Sequence, residues 1–315
     1  MLRVYHCSPN GIGRGGFDLV RDVAKDDTAG GENTMSAMKG MLLAGSMSVG
    51  AIAAASVAQV VAQPKTAPPD FSSGNVGWVG LNGNGPFFES VPGREPGPVT
   101  QDPKYPFVPN GVGGQPTYRI SDLSNPNLKP WVREHMKKGN DEVLAGKIGF
   151  TAGSSCMPLG VPGFMSQGGP NPLYFIQTPK EVRMILETNQ QVRRVAMDVP
   201  HSANPKPTWY GESVGHYEGD TLVIDTIGLN TKMVLDVFRI PHTEKLHVVE
   251  RWRVVDDGKM MEAVFVVDDV DAFYQSWTGR RRYRRGERQN QEIICAEGNW
   301  NLFDYGIPVA DKPDF

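Results

Sequence analysis

The chain has 315 residues, 39% of them hydrophobic, with 32 Lys and Arg against 35 Asp and Glu and a formal net charge of −3. That near-balance excludes the basic excess of a nucleic-acid binder or a polybasic membrane-surface protein, so partners have to be read from sites. The 36 Gly and 25 Pro favour short strands, turns and extended connections over long helices.

The first element is the stretch MSAMKGMLLAGSMSVGAIAAASVAQVVAQ, which begins at Met35. A start at Met35 or Met38 supplies a one-lysine head, an apolar run from Met41, and the small-residue site Val60-Val61-Ala62 before Gln63, the pattern of a secretory signal. Residues 1–34 then lie either before the true start codon or in an upstream extension, and residues 35–62 form a cleaved leader to the periplasm or beyond. The run from Met41 to Val61 is just long enough to span a bilayer, but its Ala, Gly and Ser content makes a poor anchor, so no stable membrane insertion is expected after cleavage. Cleavage removes Cys7 and leaves Cys156 and Cys295, a pair that forms a disulfide in an oxidising compartment or else two buried thiols.

Residues 63–155 come next. Up to about residue 116 they carry repeated Pro, Gly and Asn with isolated aromatics, and no periodicity survives. An arm over the domain is expected there, with Trp78, Phe87 and Phe88 as anchors. A short helix follows, with Ser124 or Asn127 as cap, Pro130 in its first turn, and Trp131, Val132 and Met136 at helical spacing, interrupted at Gly139. His135 reads as an exposed residue of that helix.

Residues 156–315 carry the main domain. From Leu173 onward, nine β-like runs are separated by turn signals, from LYFIQT through SVGHY, TLVIDT and KLHVVERWRVV to QEIICAE, with no helical run for parallel crossovers. The expected fold is mainly β: an antiparallel up-and-down, calycin-like barrel with an extended N-terminal arm and a short helix. Closure removes the unpaired edges that a long open sheet would leave.

Two hairpins define the candidate site. In ERWRVVDDGKMMEAVFVV, Asp257-Gly258 is a strong two-residue turn signal. It puts Leu246, Val248, Glu250, Trp252 and Val254 on one face, opposite Met261, Ala263, Phe265 and Val267. Glu250 is thus a carboxylate among apolar neighbours. Such a group finds a partner, keeps its proton, or lines a cavity. The candidate role is general acid or base; the competing reading is a buried salt bridge to an arginine such as Arg194 or Arg281. In SVGHYEGDTLVIDT, a turn at Glu218-Gly219 or Gly219-Asp220 puts His216 on one face with Val223 and Asp225. Asp is disfavoured in strands, so Asp225 is expected to have a specific partner, and an Asp that orients a His suffices for proton transfer.

Other motifs compete. Gly211 to Gly215, GESVG, fits G-x-S-x-G, and Ser213, Asp225 and His242 follow α/β-hydrolase order, but a β-hairpin follows where a helix is required. His201, His216, His242 and His247 have no spacing of a metal class, so no metal is expected. In GRRRYRRGER, alternation puts Arg281, Tyr283 and Arg285 opposite Arg280, Arg282 and Arg284, so one set can hold an anionic group or both can be solvated. No fingerprint for a cofactor is present, and none is expected.

The motifs WYGESVGHYEGDTLVIDT, LHVVERW, CMPLGVPG and CAEGN together resemble a large family of exported, mostly uncharacterised bacterial β-rich proteins with the pattern WxGxSxGxWEGDTLVVDT followed by LHVVERF. The likeness covers about Asp122 to Asn299. Tyr217 replaces a Trp, Trp252 a Phe, and Ala296 stands where a His is common. The resemblance implies a secreted β-rich domain and no particular reaction. Taken together, the expected function is an exported barrel that binds a small organic molecule in its interior as a cofactor-independent lyase, isomerase or hydrolase. Glu250, His216 and Asp225 would be catalytic; His247, Tyr217, Trp252 and Arg281 would contact substrate. The alternative is a non-catalytic carrier of a lipophilic or aromatic ligand.

Overall fold

The structure, a computed structural model, describes residues 67–72, 74, 76–81, 88–106, 119–147, 152–166, 172–287, 289 and 291–295. The expected leader and the extension before it lie outside these residues, as do Phe87 and Ala296. Alternating apolar and polar side chains form strands β2 (Leu173–Gln177), β3 (Glu181–Leu186), β4 (Gln191–Met197), β5 (Glu212–Glu218), β6 (Thr221–Ile227), β7 (His247–Val255), β8 (Met260–Asp268) and β9 (Trp277–Arg285). The last expected run fails. Gln291–Ile294 carry no regular structure, and the final strand, β1 (Trp78–Gly80), comes from the arm instead.

Trp78 explains why so irregular a segment pairs. Its ring is fully buried, its Nε1 donates to the Phe71 carbonyl at 2.7 Å, and the Arg285 guanidinium lies 4.5 Å from its centroid. Held there, β1 bridges β9 and β2 and closes the sheet into a nine-stranded barrel. An odd number of strands cannot alternate direction around a closed ring. The purely antiparallel up-and-down order expected from the sequence therefore breaks at one seam, where β4 and β5 pair in parallel through Ala196↔Val214 and Met197↔Gly215. Parallel neighbours need a long crossover, and residues 198–211 supply it.

Both hairpin registers match the turn chemistry. Val255 pairs with Met260 and Glu250 with Phe265, around Asp256, Asp257 and Gly258 at positive φ. His216 pairs with Val223 and Glu218 with Thr221, which sets the second turn at Gly219-Asp220. The glycines of GESVG serve this packing. Gly211 has φ +63° and a Cβ there would lie 2.4 Å from the Ile227 carbonyl oxygen, while one on Gly215 would lie 2.8 Å from Val195 Cγ1.

The barrel core includes Phe175, Val195, Leu222, Ile224, Val248, Trp252, Met261, Phe265 and Tyr283. The β6–β7 connection adds Leu229, Met233, Leu235, Phe238 and Ile240, which join Val161, Phe164 and Met165 in the same cluster. Helix α1 (Pro130–Leu144) buries Val132, Met136, Asn140 and Val143 at turn spacing. Its N-cap is Lys129, without a side-chain bond, and neither Ser124 nor Asn127 takes that place. Gly139 does not interrupt the helix; a Cβ there would lie 2.4 Å from Arg239 Nη2, and Arg239 Nη1 donates to Glu142 Oε2 at 3.1 Å. His135 is half-buried.

Cys156 and Cys295 form a disulfide, with Cα atoms 5.6 Å apart and a sequence separation of 139. A cross-link this long constrains the unfolded chain strongly. Its removal by Cys156→Ser with Cys295→Ser is expected to cost about 2–5 kcal/mol, read as a lower urea midpoint. A midpoint equal to that of the native chain would rule this out.

Candidate functional site

Glu250 lies inside the barrel and is fully buried, and so is Arg193 opposite it. The two form a fork: Arg193 Nη1 donates to Oε1 at 3.0 Å and Nη2 to Oε2 at 2.5 Å. Arg193 Nη2 also donates to Thr226 Oγ1 at 2.8 Å and Nε to Ser213 Oγ at 3.2 Å; the two hydroxyls are 2.9 Å apart. Phe164 covers the guanidinium, 5.0 Å from its ring centroid. Of the three fates open to a buried carboxylate, this one has found a partner. The partner is Arg193, and neither of the arginines named as alternatives. Arg194 points outward and pairs with Glu181, while Arg281 points inward but stacks on Tyr283, 5.7 Å from its centroid. Strand parity held the missed signal, because Arg193 shares a face with Val195 and Met197 on β4.

Above this pair the interior is aromatic. Trp252 stands 5.5 Å from Phe175 and 5.7 Å from Tyr283, centroid to centroid. Trp252 Nε1 is buried and makes no hydrogen bond with any described residue, and the buried Tyr283 hydroxyl has beside it the Arg281 guanidinium, which can donate to its oxygen but cannot accept its hydrogen. Burial pushes the Tyr283 hydroxyl well above the usual phenol range, so it keeps its proton, and burial lowers Arg281 from its ordinary value. Tyr217 lies at the edge of the same core, its hydroxyl accepting from Gln177 Nε2 at 2.9 Å.

His216 and Asp225 share a face, as the hairpin register requires, but that face is the outer one. They do not meet. His216 contacts Glu218 at 3.0 Å, and Glu218 accepts from Arg251. The barrel wall separates both from Glu250, so the three expected catalytic residues do not form one centre.

Asp225 has different partners. Its Oδ1 lies 2.9 Å from His247 Nε2 and 2.9 Å from His201 Nε2. The other nitrogen of His201, Nδ1, lies 3.0 Å from Glu212 Oε1. The Ser202 hydroxyl and amide donate to Glu212 at 2.7 and 2.6 Å; with His201 they hold its carboxyl below the usual carboxylate range. The array is half-exposed, at 21% for His201, 39% for Asp225 and 38% for His247. His201 and Glu212 were missed as partners because the crossover carrying His201 has no local signal for where it lands. Among the described residues no group of His, Cys, Asp or Glu has the geometry of a metal site. His242 stands apart, buried, its Nδ1 donating to the Thr243 carbonyl at 2.8 Å and its basicity lowered by burial.

Ser213 is likewise no nucleophile elbow. It sits in β5 facing inward, bonded to Arg193. A comparison with protein-family models finds no match for the chain, and a comparison with curated proteins finds none either.

Proposed function

We propose that the chain is an exported β-barrel carrier, one of the exported β-rich proteins it resembles, for a small, flat organic molecule bearing a hydrogen-bond acceptor in the barrel interior. The observation that carries this reading is a pair of buried hydrogens, the Trp252 Nε1–H and the Tyr283 O–H, that meet no acceptor among the described residues, since the Arg281 guanidinium beside Tyr283 can only donate. An unmet buried donor costs about 1–3 kcal/mol, and an acceptor arriving with a ligand recovers that loss. Phe175 and Phe164 pack on Trp252, their centroids 5.5 and 6.3 Å from it, and give this stretch of the interior the aromatic character that suits such a molecule.

A carrier is favoured over an enzyme built on Glu250. Both Glu250 oxygens are held by Arg193, and His216 and Asp225 face outward. Export is supported by the apolar run from Met41 to Val61 and by the Cys156–Cys295 bridge, a bond that persists in oxidising compartments. The full chain is expected to bind 8-anilinonaphthalene-1-sulfonate, an aromatic anion with acceptor oxygens, saturably and one to one by fluorescence. Trp252→Phe with Tyr283→Phe should weaken that binding about tenfold or more, the loss of two hydrogen bonds worth about 0.5–1.5 kcal/mol each. Equal affinity in the double variant would remove the interior donors from the account.

A further inference from the structure

We propose that the outer wall carries a second site, a general acid–base centre in which His247 transfers the proton and the substrate is a small activated ester. It goes beyond the interior reading and uses none of its residues. Three neighbouring strands present Glu212, Asp225 and His247 outward, and the β4–β5 crossover lays His201 between the two carboxylates. Asp is a poor strand residue, so its place in the middle of β6 calls for a specific reason. Two imidazoles on one carboxylate oxygen supply one.

The hydrogen bonds assign the roles. His201 is engaged through both ring nitrogens, one on Asp225 and the other on Glu212, so it serves as a clamp between the two carboxylates. His247 differs. Its Nε2–H donates to Asp225, which selects the tautomer with the lone pair on Nδ1, and Nδ1 makes no hydrogen bond with any described residue. An oriented imidazole, 38% exposed, with one nitrogen fixed and the other available, has the arrangement of a general base. Asp225 acts on it as a positioning residue, His201 and Glu212 position Asp225, and Asp268, the β8 residue paired with His247, is the other carboxylate on that face, its Oδ1 accepting from the Ser276 hydroxyl.

The step balances without any further reactant. A water at His247 Nδ1 gives up a proton to it as the water oxygen bonds to the acyl carbon. The acyl–oxygen bond then breaks, and the departing oxygen regains a proton from Nδ1. One water is consumed for each ester, and a carboxylic acid and an alcohol leave.

The test uses the full chain and p-nitrophenyl acetate. The expected result is a rate that rises with pH through a single ionisation and falls about tenfold or more in His247→Gln. Asp225→Asn should lower the plateau and move the midpoint of the pH–rate curve by about half a unit or more, because it changes the group on Nε2; a merely structural Asp225 would leave the midpoint in place. Should His247→Gln fail to fold, wild-type protein treated with diethylpyrocarbonate and mapped by mass spectrometry answers the same question, since modification of His247 must track the loss of rate. A rate within twofold of wild type in His247→Gln, an unmoved midpoint in Asp225→Asn, or full activity after modification of His247 would overturn the proposal.

Discussion

Replacing Glu250 by Gln is expected to destabilise the barrel by about 3–5 kcal/mol, because it strands the Arg193 charge in the interior without its counterion. The two side chains are 1% and 0% exposed, so solvent offers no relief. The double replacement Arg193→Met with Glu250→Leu should restore stability to within about 2 kcal/mol of the native chain, since apolar residues of similar volume often match a buried ion pair. Ser213 and Thr226 survive that change still bonded to each other at 2.9 Å. Urea unfolding of the single and double variants gives the comparison. If Glu250→Gln unfolds at the native midpoint, the carboxylate is not the counterion that the fork implies.

The second large effect lies in the β6–β7 connection. Asp236 is 5% exposed, and burial pushes its carboxyl up to about 7 from an ordinary 3.8, against the opposing hydrogen bonds from the Phe238 and Ile240 amides. Because its folded pKa is raised, the folded state holds the proton more tightly than the unfolded chain. The contribution is fully present below the unfolded value and is lost as pH climbs from about 4 to about 7. The spread corresponds to at most about 4 kcal/mol. Asp236→Asn keeps an acceptor for the Phe238 amide, 2.8 Å away, and removes the charge. It should therefore be more stable than the native chain by about 1–3 kcal/mol at pH 8 and show little of this slope. His242 works in the opposite direction: burial lowers it, so its contribution is present above the unfolded imidazole value and declines as pH falls. The difference between Asp236→Asn and the native chain at each pH isolates Asp236. A difference between the two that does not change across pH 4 to 8 would show that the folded chain does not raise the Asp236 pKa.

These effects share one cause. The core is not uniformly apolar: the barrel encloses Arg193, Glu250 and Arg281, and the connection beside it encloses Asp236 and His242. Charges in such places are tolerated only when paired or neutralised. Arg193 and Glu250 are paired by geometry; burial lets Asp236 keep its proton up to a pH of about 7. The outer array is governed by different physics. Asp225, His201 and His247 are half-exposed, so solvent screens them, and their stability value is small. What they retain is fixed geometry.

How much could be read beforehand follows the range of the interactions. Turn chemistry set both hairpins, because positive φ at Asp257 and Gly258 is a local property. The inward place of Glu250 followed from period-two alternation along β7. The face shared by His216 and Asp225 was also legible, but not that it looked outward, since alternation assigns faces without saying which is the core when both carry apolar residues. Trp78 was recognisable as an anchor, yet its role as a strand was not, because a three-residue run has no periodicity to detect.

By itself, then, the amino-acid order determined a β-rich chain, its strands from Leu173 onward, two hairpin registers and the cysteine pair, all of which arise from neighbours within a few residues or from a simple count. Only the tertiary structure decided which arginine meets Glu250, which imidazoles meet Asp225, and that one seam of the barrel runs parallel. Those choices join residues 57, 24 and 22 positions apart. They depend on how nine strands close and where the crossover lies, which is a property of the whole sheet that no local pattern encodes.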